Sequence, residues 1–546
     1  MGGGSATLLS SGGGRWPERG ARVLLSDLKE LQAREGWLPE SGLREIAERR
    51  GVPLHRLESL STFYTSFRRT PLDGPELVVC RDVACQLAGR GRAVEALEPV
   101  LEELGVTLRE ASCLGRCDAA PAACVGERPA ILSDEADVRR ALAEPEPPER
   151  PVRAWAADPY EDSASRYGAI ARWARGEARA AIDVLDASGL RGMGGAGFPT
   201  ARKWRLVAEE ASAEKVVICN ADESEPGTFK DREVLHDLPH LILEGMALAG
   251  LSVGAARGIV FIRHEYEAER RRLEAEIEVA RAAGVLGPDV CGSGQAFDVE
   301  IFVSPGGYIL GEETALLECL EDRRGEPRNK PPFPGQSGLH GLPTLINNVE
   351  TLAHAAAILA RGADWWHALA PGDASGHKFM AVSGDVARPG VVLVPFGTTL
   401  RELLAACGGM RDGAPVGAIA PGGASSLFLA ADALDAEIGF DSLREAGSML
   451  GSGAAIFLAE GRDLLSVGLD VTRFFRNESC GKCVPCRVGT DQAVAWLEAG
   501  PLSPEVEARL RALHETLAQT SICGLGQVAL APLLSLLDRE REGRHG

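Results

Sequence analysis

Eight of the thirteen cysteines fall into two spaced sets, and their spacing points to metal chemistry. Cys480-Gly-Lys-Cys483-Val-Pro-Cys486 is a tight trio, and Cys523 follows in Ser-Ile-Cys-Gly-Leu-Gly. Four thiolates can cage a tetrahedral zinc or an iron-sulfur cluster. Zinc ligands usually come as two separated couples, whereas a trio with one distant thiolate suits a four-iron cubane, so the spacing favours [4Fe-4S] and leaves zinc open. Lys482 and Arg487 stand beside the trio and would offset a cluster's negative charge. The second set, Cys80 with Cys85 and Cys113 with Cys117, is two couples. It suits a [2Fe-2S] rhomb, each iron taking two thiolates, and suits zinc as well. Cysteines 124, 219, 291, 319 and 407 lie singly in apolar or glycine-rich stretches and read as small apolar fillers. The ten histidines show no ligand spacing.

Three further stretches suit a nucleotide. Gly189, Gly192, Gly194, Gly195 and Gly197 crowd one short segment, where a backbone can approach a ligand closely and offer N–H groups. This is not the G-x-G-x-x-G that opens a Rossmann unit, but Lys203 follows within reach of a phosphate. Next, an apolar run from Val216 ends in Asn220-Ala-Asp222-Glu223-Ser-Glu225-Pro-Gly227, an acidic turn at the strand edge where open α/β sheets place ligands. Carboxylates there cannot hold phosphate, but they accept hydrogen bonds from sugar hydroxyls or a flavin ring N–H. Third, Tyr308-Ile-Leu-Gly311-Glu312-Glu313-Thr314 reads as a helix opening, followed by Lys330-Pro-Pro-Phe333-Pro and Asn347-Asn348-Val-Glu-Thr351. A helix opening suits an anion, although its two carboxylates are also ordinary partners of the dipole.

The elements that position these residues follow from periodicity. Leu24, Leu28 and Leu31, then Leu43, Ile46 and Ala47, predict short helices across 23–70. A strand at 76–80, a helix at 93–104 and a cysteine loop at 113–117 predict a compact α/β module, and the Pro- and Glu-rich 144–151 reads as a linker. Strands are expected at 215–219, 258–262 and 297–303 of a large α/β region. Strands at 378–383 and 390–394, with the Thr-Leu-Arg-Glu-Leu-Leu helix after them, predict a β-grasp module, and the chain turns helical from about 464.

A chain of 546 residues needs several cores. Its 45% hydrophobic and 25% charged content is that of a globular protein, and a net charge of −20 argues against a nucleic-acid surface. The glycine-rich start lacks a basic n-region and an apolar h-region, and no apolar run approaches the ~18 residues of a membrane span. A cytoplasmic protein with no direct membrane insertion is the expectation, and cysteines there favour metal or redox roles over disulfides.

Together these motifs resemble the NADH-oxidising flavoprotein subunit of respiratory complex I and the related diaphorase subunits of NAD-dependent formate dehydrogenases and NAD-reducing hydrogenases. The likeness runs from about 154 to the C-terminus. Residues 23–142 separately resemble the family's thioredoxin-like [2Fe-2S] subunit. The resemblance implies an FMN pocket on Gly192, Gly194, Lys203, Asn220, Asp222, Glu223, Tyr308, Gly311, Glu312, Asn347, Asn348 and Thr351, with Gly195 and Gly197 in the same loop. It puts NAD(H) on Phe198, Glu225, Glu313, Lys330 and Phe333, Glu225 and Glu313 orienting the nicotinamide and disfavouring NADPH. It assigns Cys480, Cys483, Cys486 and Cys523 to the [4Fe-4S] cluster and Cys80, Cys85, Cys113 and Cys117 to the [2Fe-2S] cluster. Three departures stand out: Met193 where the family usually has arginine, Leu206 where an aromatic often clamps adenine, and a short segment between Cys85 and Cys113.

The implied fold is multidomain α/β: a tail at 1–20, a helical bundle at 21–72 and a thioredoxin-like domain at 73–145. After a linker at 146–160 come a Rossmann-like FMN and NADH domain at 161–375, a β-grasp, SLBB-like domain at 376–460 and a helical [4Fe-4S] domain at 461–546. The implied reaction exchanges a hydride between NAD(H) and the flavin and passes single electrons through the clusters to or from a separate catalytic subunit with further iron-sulfur clusters. A molybdopterin formate dehydrogenase is the first expectation for that partner, a hydrogenase the second and complex I the third. A non-enzymatic zinc scaffold is the rival of a different class.

Overall fold

The computed structural model describes residues 24–126, 128–132, 135–143, 150–176, 180–372 and 374–545. The expected tail at 1–20 and residues 144–149 of the expected linker lie outside the described residues.

Three helices, Leu24–Glu35, Glu40–Arg50 and Leu54–Phe63, form the N-terminal bundle on the predicted apolar positions. The bundle is seated on the rest of the chain by a cap from afar: the Asp322 carboxylate accepts from Leu24 N at 2.9 Å and Leu25 N at 3.1 Å, meeting two of the unpaired amides at a helix start.

A four-stranded sheet follows, β1 (Glu76–Cys80), β2 (Thr107–Ala111), β3 (Ala122–Val125) and β4 (Arg128–Ile131), in the order β2-β1-β3-β4. β1 and β2 are parallel with Cys80 opposite Ala111, so the loops leaving both strands emerge at one end of the sheet. That pairing brings the Cys80 to Cys85 segment and the Cys113 to Cys117 loop together.

The central sheet is wholly parallel: β5 (Val216–Ala221), β6 (Arg257–Arg263), β7 (Asp298–Ser304) and β8 (Thr344–Asn348), in the order β7-β6-β5-β8. The near-continuous apolar runs of β5 and β6 are what a parallel sheet covered by helices requires. Helices Pro239–Val253 and Val349–Arg361 cover it. They cross so closely at Gly245 that a Cβ there would lie 2.2 Å from the Leu352 carbonyl.

The β-grasp module is a five-stranded mixed sheet, β9 (His377–Gly384), β10 (Gly390–Pro395), β11 (Val416–Ala420), β12 (Leu429–Ala430) and β13 (Ala454–Ala459), in the order β10-β9-β13-β11-β12. Its helix Leu400–Ala406 begins in a reciprocal capping box between Thr399 and Glu402. From Leu464 onward five helices follow among the described residues. No helix among the described residues is long and apolar enough to cross a membrane.

Candidate functional site

The chain runs from β5 outward to β6 and β7, then returns to lay β8 on the other side of β5. Such a reversal opens a crevice at the carboxyl ends of the two strands, where open α/β sheets bind ligands. Here that edge carries Asn220, ending opposite Asn348 of β8 with Asn347 beside it. A cavity of about 730 Å³ fills the crevice, within the usual range for small-molecule sites. It is lined by Gly192, Gly194 and Gly197 of the glycine loop, by the three asparagines and by Thr351. Phe198, Lys203, Gly311, Glu312, Glu313, Lys330 and Phe333 line it as well.

The glycine loop lies directly on the end of β8. A Cβ at Gly194 would come within 2.9 Å of the Asn348 Cβ, and the Met193 N–H donates to Thr351 Oγ1 at 2.8 Å. Buried Trp204 donates its indole N–H to Asn347 Oδ1 at 2.9 Å, which sets that carboxamide and leaves Nδ2 for a ligand. Asn348 is used from both ends: Oδ1 accepts from Glu350 N at 3.0 Å, and Nδ2 donates to Asp231 Oδ2 at 2.6 Å. The Asn220 amide donates to the Gly311 carbonyl at 2.9 Å, tying β5 to the opening of the Glu313–Leu320 helix.

That opening is not bare. Glu312 Oε2 accepts from Thr314 N and Ala315 N, both at 2.9 Å, and so caps its own helix; the dipole-pairing role describes Glu312, and the expected anion site at these amides is filled by the protein. Lys330 Nζ lies 2.7 Å from Glu312 Oε1 and 3.4 Å from Glu313 Oε1, and Lys203 Nζ lies 3.4 Å from Glu313 Oε2. Burial would raise the Glu313 carboxyl, but Lys203 and Lys330 hold it below its ordinary value. Two acids and two lysines thus form a charge-balanced wall that presents hydrogen-bonding groups without a strong net field. On the solvent side the cavity keeps three large apolar side chains accessible: Phe198 is 39% exposed, Leu206 51% and Phe333 54%.

The cysteines assemble as two groups. Cys80, Cys85, Cys113 and Cys117 are all buried, with Cys113 and Cys117 Sγ 3.8 Å apart. Backbone amides already point at the sulfurs: Gly115 N to Cys113 and Ala122 N to Cys85, each 3.4 Å. Cys480 and Cys483 lie in the loop after the Leu464–Glu478 helix, Cys486 in the first turn of the next, and Cys523 at the N-cap of Gly524–Val528. Gly526 lets the Cys523 turn approach Cys486 closely, since a Cβ there would be 3.0 Å from the Cys486 Cβ. Burial raises the Cys486 thiol to about 12 and the Cys523 thiol to about 11.

Four family models match the chain: the Nuo51 FMN-binding domain over 185–357, a thioredoxin-like [2Fe-2S] ferredoxin over 15–145, the NADH-ubiquinone oxidoreductase-F iron-sulfur binding region over 467–543, and an SLBB domain over 379–426. The second F-type NADH-quinone oxidoreductase chain of Rhizobium meliloti is 42% identical over 66% of this chain and 86% of its own length. The NADP-reducing hydrogenase subunit HndC of Solidesulfovibrio fructosivorans is 41% identical over 65% of this chain and 74% of its own. The chain belongs to the F-type family of NADH-quinone oxidoreductase subunits. A solved structure of an NAD+-reducing [NiFe]-hydrogenase superposes with a TM-score of 0.84 at 32% identity, over 94% of this chain and 91% of its own.

As a member of that family the chain is an oxidoreductase that uses NADH, FMN, a [2Fe-2S] and a [4Fe-4S] cluster. The zinc scaffold falls away with that membership. The residues present fit these groups: a glycine loop laid tightly against Asn348 at Gly194 and Phe440 at Gly197, a carboxamide held by its Oδ1, and cysteines in two sets, with Cys117 near Cys80, Cys85 and Cys113 and Cys486 near Cys480, Cys483 and Cys523. A further sign is Asp222, which is buried with no geometrically good hydrogen-bond partner for either carboxylate oxygen among the described residues. Unpartnered buried acids are costly. Burial raises its pKa to about 8. A carboxyl raised in the folded state stabilises fully below its unfolded pKa, and that contribution is lost as pH rises through the folded value. Asp222→Asn should therefore melt higher than the parent above about pH 8 when flavin is stripped, the gap closing toward pH 4, as thermal scans across pH would register.

Five of the residues placed by resemblance do not line the cavity: Gly195, Asp222, Glu223, Glu225 and Tyr308. Glu223 accepts from Asp231 N at 2.9 Å, Arg232 N at 3.2 Å and Tyr266 OH at 2.9 Å, so it anchors a helix start. Glu225 Oε1 accepts from Ser425 N at 3.0 Å and Oε2 from Ser452 Oγ at 3.3 Å, binding the acidic turn to the β-grasp module. Tyr308 donates its N–H to Glu478 Oε2 at 2.7 Å and packs on Phe474, joining the cavity edge to the helix that precedes Cys480. The cavity also takes in Arg202, Val207, Glu210 and Gln336, which the motifs did not indicate. The helical repeat of Arg202, Leu206 and Glu210 was the signal that could have found that face.

Proposed function

We propose that the chain is the NAD(H)-facing diaphorase subunit of a larger oxidoreductase, with FMN in the β5/β8 crevice, the [4Fe-4S] cluster on Cys480, Cys483, Cys486 and Cys523, and the [2Fe-2S] cluster on Cys80, Cys85, Cys113 and Cys117. The observation that carries it is contiguity. The turn after β5 reaches the first cysteine group through Gly227 N to Cys117 Sγ at 3.4 Å, and Tyr308 ties the crevice to the helix before the second. Bound FMN supplies the exchange of a hydride's electron pair for single electrons. The protein's part is placement. Asn220, Asn347 and the glycine loop hold the flavin end, while Phe198 and Phe333 offer flat aromatic faces, with aliphatic Leu206 beside them, to a dinucleotide base. Lys203, Glu313 and Lys330 hydrogen-bond its polar groups. Glu225, engaged by Ser425, acts by holding the turn in place. Anaerobic addition of NADH to the loaded protein should bleach the flavin band within one catalytic turnover; a band that stays sinks the reading.

For the partner, the NAD+-reducing hydrogenase structure supports a hydrogenase-type catalytic subunit, since it spans the N-terminal module as well as the flavin region. The fusion of both modules on one chain, the ground for expecting a formate dehydrogenase, does not separate the two partners, since the hydrogenase chain spans both modules as well. Purifying the native complex and measuring hydrogen-dependent against formate-dependent NAD+ reduction separates them, with nickel or molybdopterin content as the second readout.

A further inference from the structure

Between the parallel sheet and the Cys113 to Cys117 loop lies a layer of buried charge that the proposed reaction leaves unused. Arg263, the last residue of β6, is 2% exposed; its Nη2 donates to the Cys113 carbonyl at 2.6 Å and its Nη1 to the Glu223 carbonyl. Arg232 is 1% exposed, donates to the Gly115 carbonyl at 2.7 Å and clasps Asp118 at 2.7 and 3.1 Å. Tyr266 fills the space beside Gly115, where a Cβ would meet its hydroxyl at 2.5 Å. These groups come from the flavin-side domain, while the cysteines belong to the N-terminal module.

Two guanidinium groups at a module junction need a reason. Apolar side chains of equal volume would often seal it at no loss, because desolvating an ion pair offsets much of its attraction. Arg263 keeps Glu265 as counter-charge at 2.8 Å, and Arg232 keeps Asp118 and Glu233. The layer is therefore close to neutral but polarised, with the Arg263 guanidinium, and not Glu265, hydrogen-bonded to the cysteine loop. Reducing an iron-sulfur cluster adds negative charge, so a positive group hydrogen-bonded to the ligand loop favours the reduced form.

We propose that Arg263, with Glu265 as its counter-charge, is a positioning residue by which the flavin-side domain sets the reduction potential of the [2Fe-2S] centre. This rests on the ligand assignment made above. In the full-length, cluster-loaded protein, an EPR-monitored redox titration of Arg263→Gln should lower the midpoint of the [2Fe-2S] signal. The expected drop is roughly tenfold in the reduction equilibrium, about 59 mV for one electron. Glu265→Gln should raise it, and the [4Fe-4S] midpoint in the same samples should stay put. Opposite signs are the decisive feature, because loosening the loop would move both variants the same way. Two shifts of one sign, or none, overturn the proposal and leave the ligands standing. Should Arg263→Gln fail to hold its cluster, Glu265→Gln decides alone: an upward shift supports the proposal, and an unchanged or lower midpoint overturns it. A parent protein without any [2Fe-2S] signal overturns the ligand assignment along with it.

Discussion

Glu350→Ala should cost about 3–5 kcal/mol, the largest stability loss expected of any single substitution here, because it strands buried charge. Glu350 is fully buried between Lys230 Nζ at 2.8 Å and Lys378 Nζ at 2.5 Å, and its Oε1 also accepts from Phe379 N at 2.9 Å. Burial by itself would raise this carboxyl, yet the two lysines hold it far below the usual range. Lys378 in turn is pushed down to about 8 by burial even with Glu350 beside it. Without the carboxylate, two buried ammonium groups face each other, and Lys378 must give up its proton. Urea unfolding of the flavin-side domain should register the loss, and adding Lys378→Met should recover part of it, since the pair is coupled. A midpoint equal to the parent's would show that the three groups contribute no net stability. The same substitution should loosen the cavity, because Lys230 also pairs with Asp231, which holds Asn348.

The contrast between Glu350 and the cavity motifs shows what the sequence made legible. The glycine loop, the asparagine pair and the cysteine sets could be singled out because each is a local pattern with a chemical reason for its spacing. The long apolar strands β5 and β6 and the helix Leu400–Ala406 were legible for the same reason. What stayed hidden depends on partners far along the chain. Nothing near Glu225 announces Ser425, and nothing near Asp322 announces the bundle it caps at Leu24. Acidic residues at a strand end therefore looked like ligand-binding groups, although Glu223 and Glu225 are satisfied by the protein itself. The short helix Val83–Leu87 was missed because five residues are too few for a period to show. The two-residue β12 was missed on the same ground.

Replacing Cys523 with serine should abolish electron delivery to the partner while leaving flavin bound and NADH:ferricyanide activity largely intact. The separation follows from where Cys523 sits. It contributes nothing to the cavity lining, and it caps a short helix brought against Cys486 by Gly526. A serine hydroxyl is a poor replacement for a soft thiolate ligand, so the cubane should be lost or badly destabilised. The helical domain should survive that loss. Its apolar core, with Phe474, Phe475, Leu510 and Leu517 buried, does not depend on the sulfurs. Burial raises the Cys480 and Cys486 thiols, which keeps both neutral when no metal draws their protons away. Cys407→Ser, at a lone buried cysteine of the β-grasp module, is the control and should change neither readout. If the Cys523 variant still reduces the partner at the parental rate, a different fourth ligand must hold the cluster. If instead flavin is lost as well, the cubane and the flavin pocket are one folding unit, and Tyr308 with its bond to Glu478 is the joint through which the damage spreads.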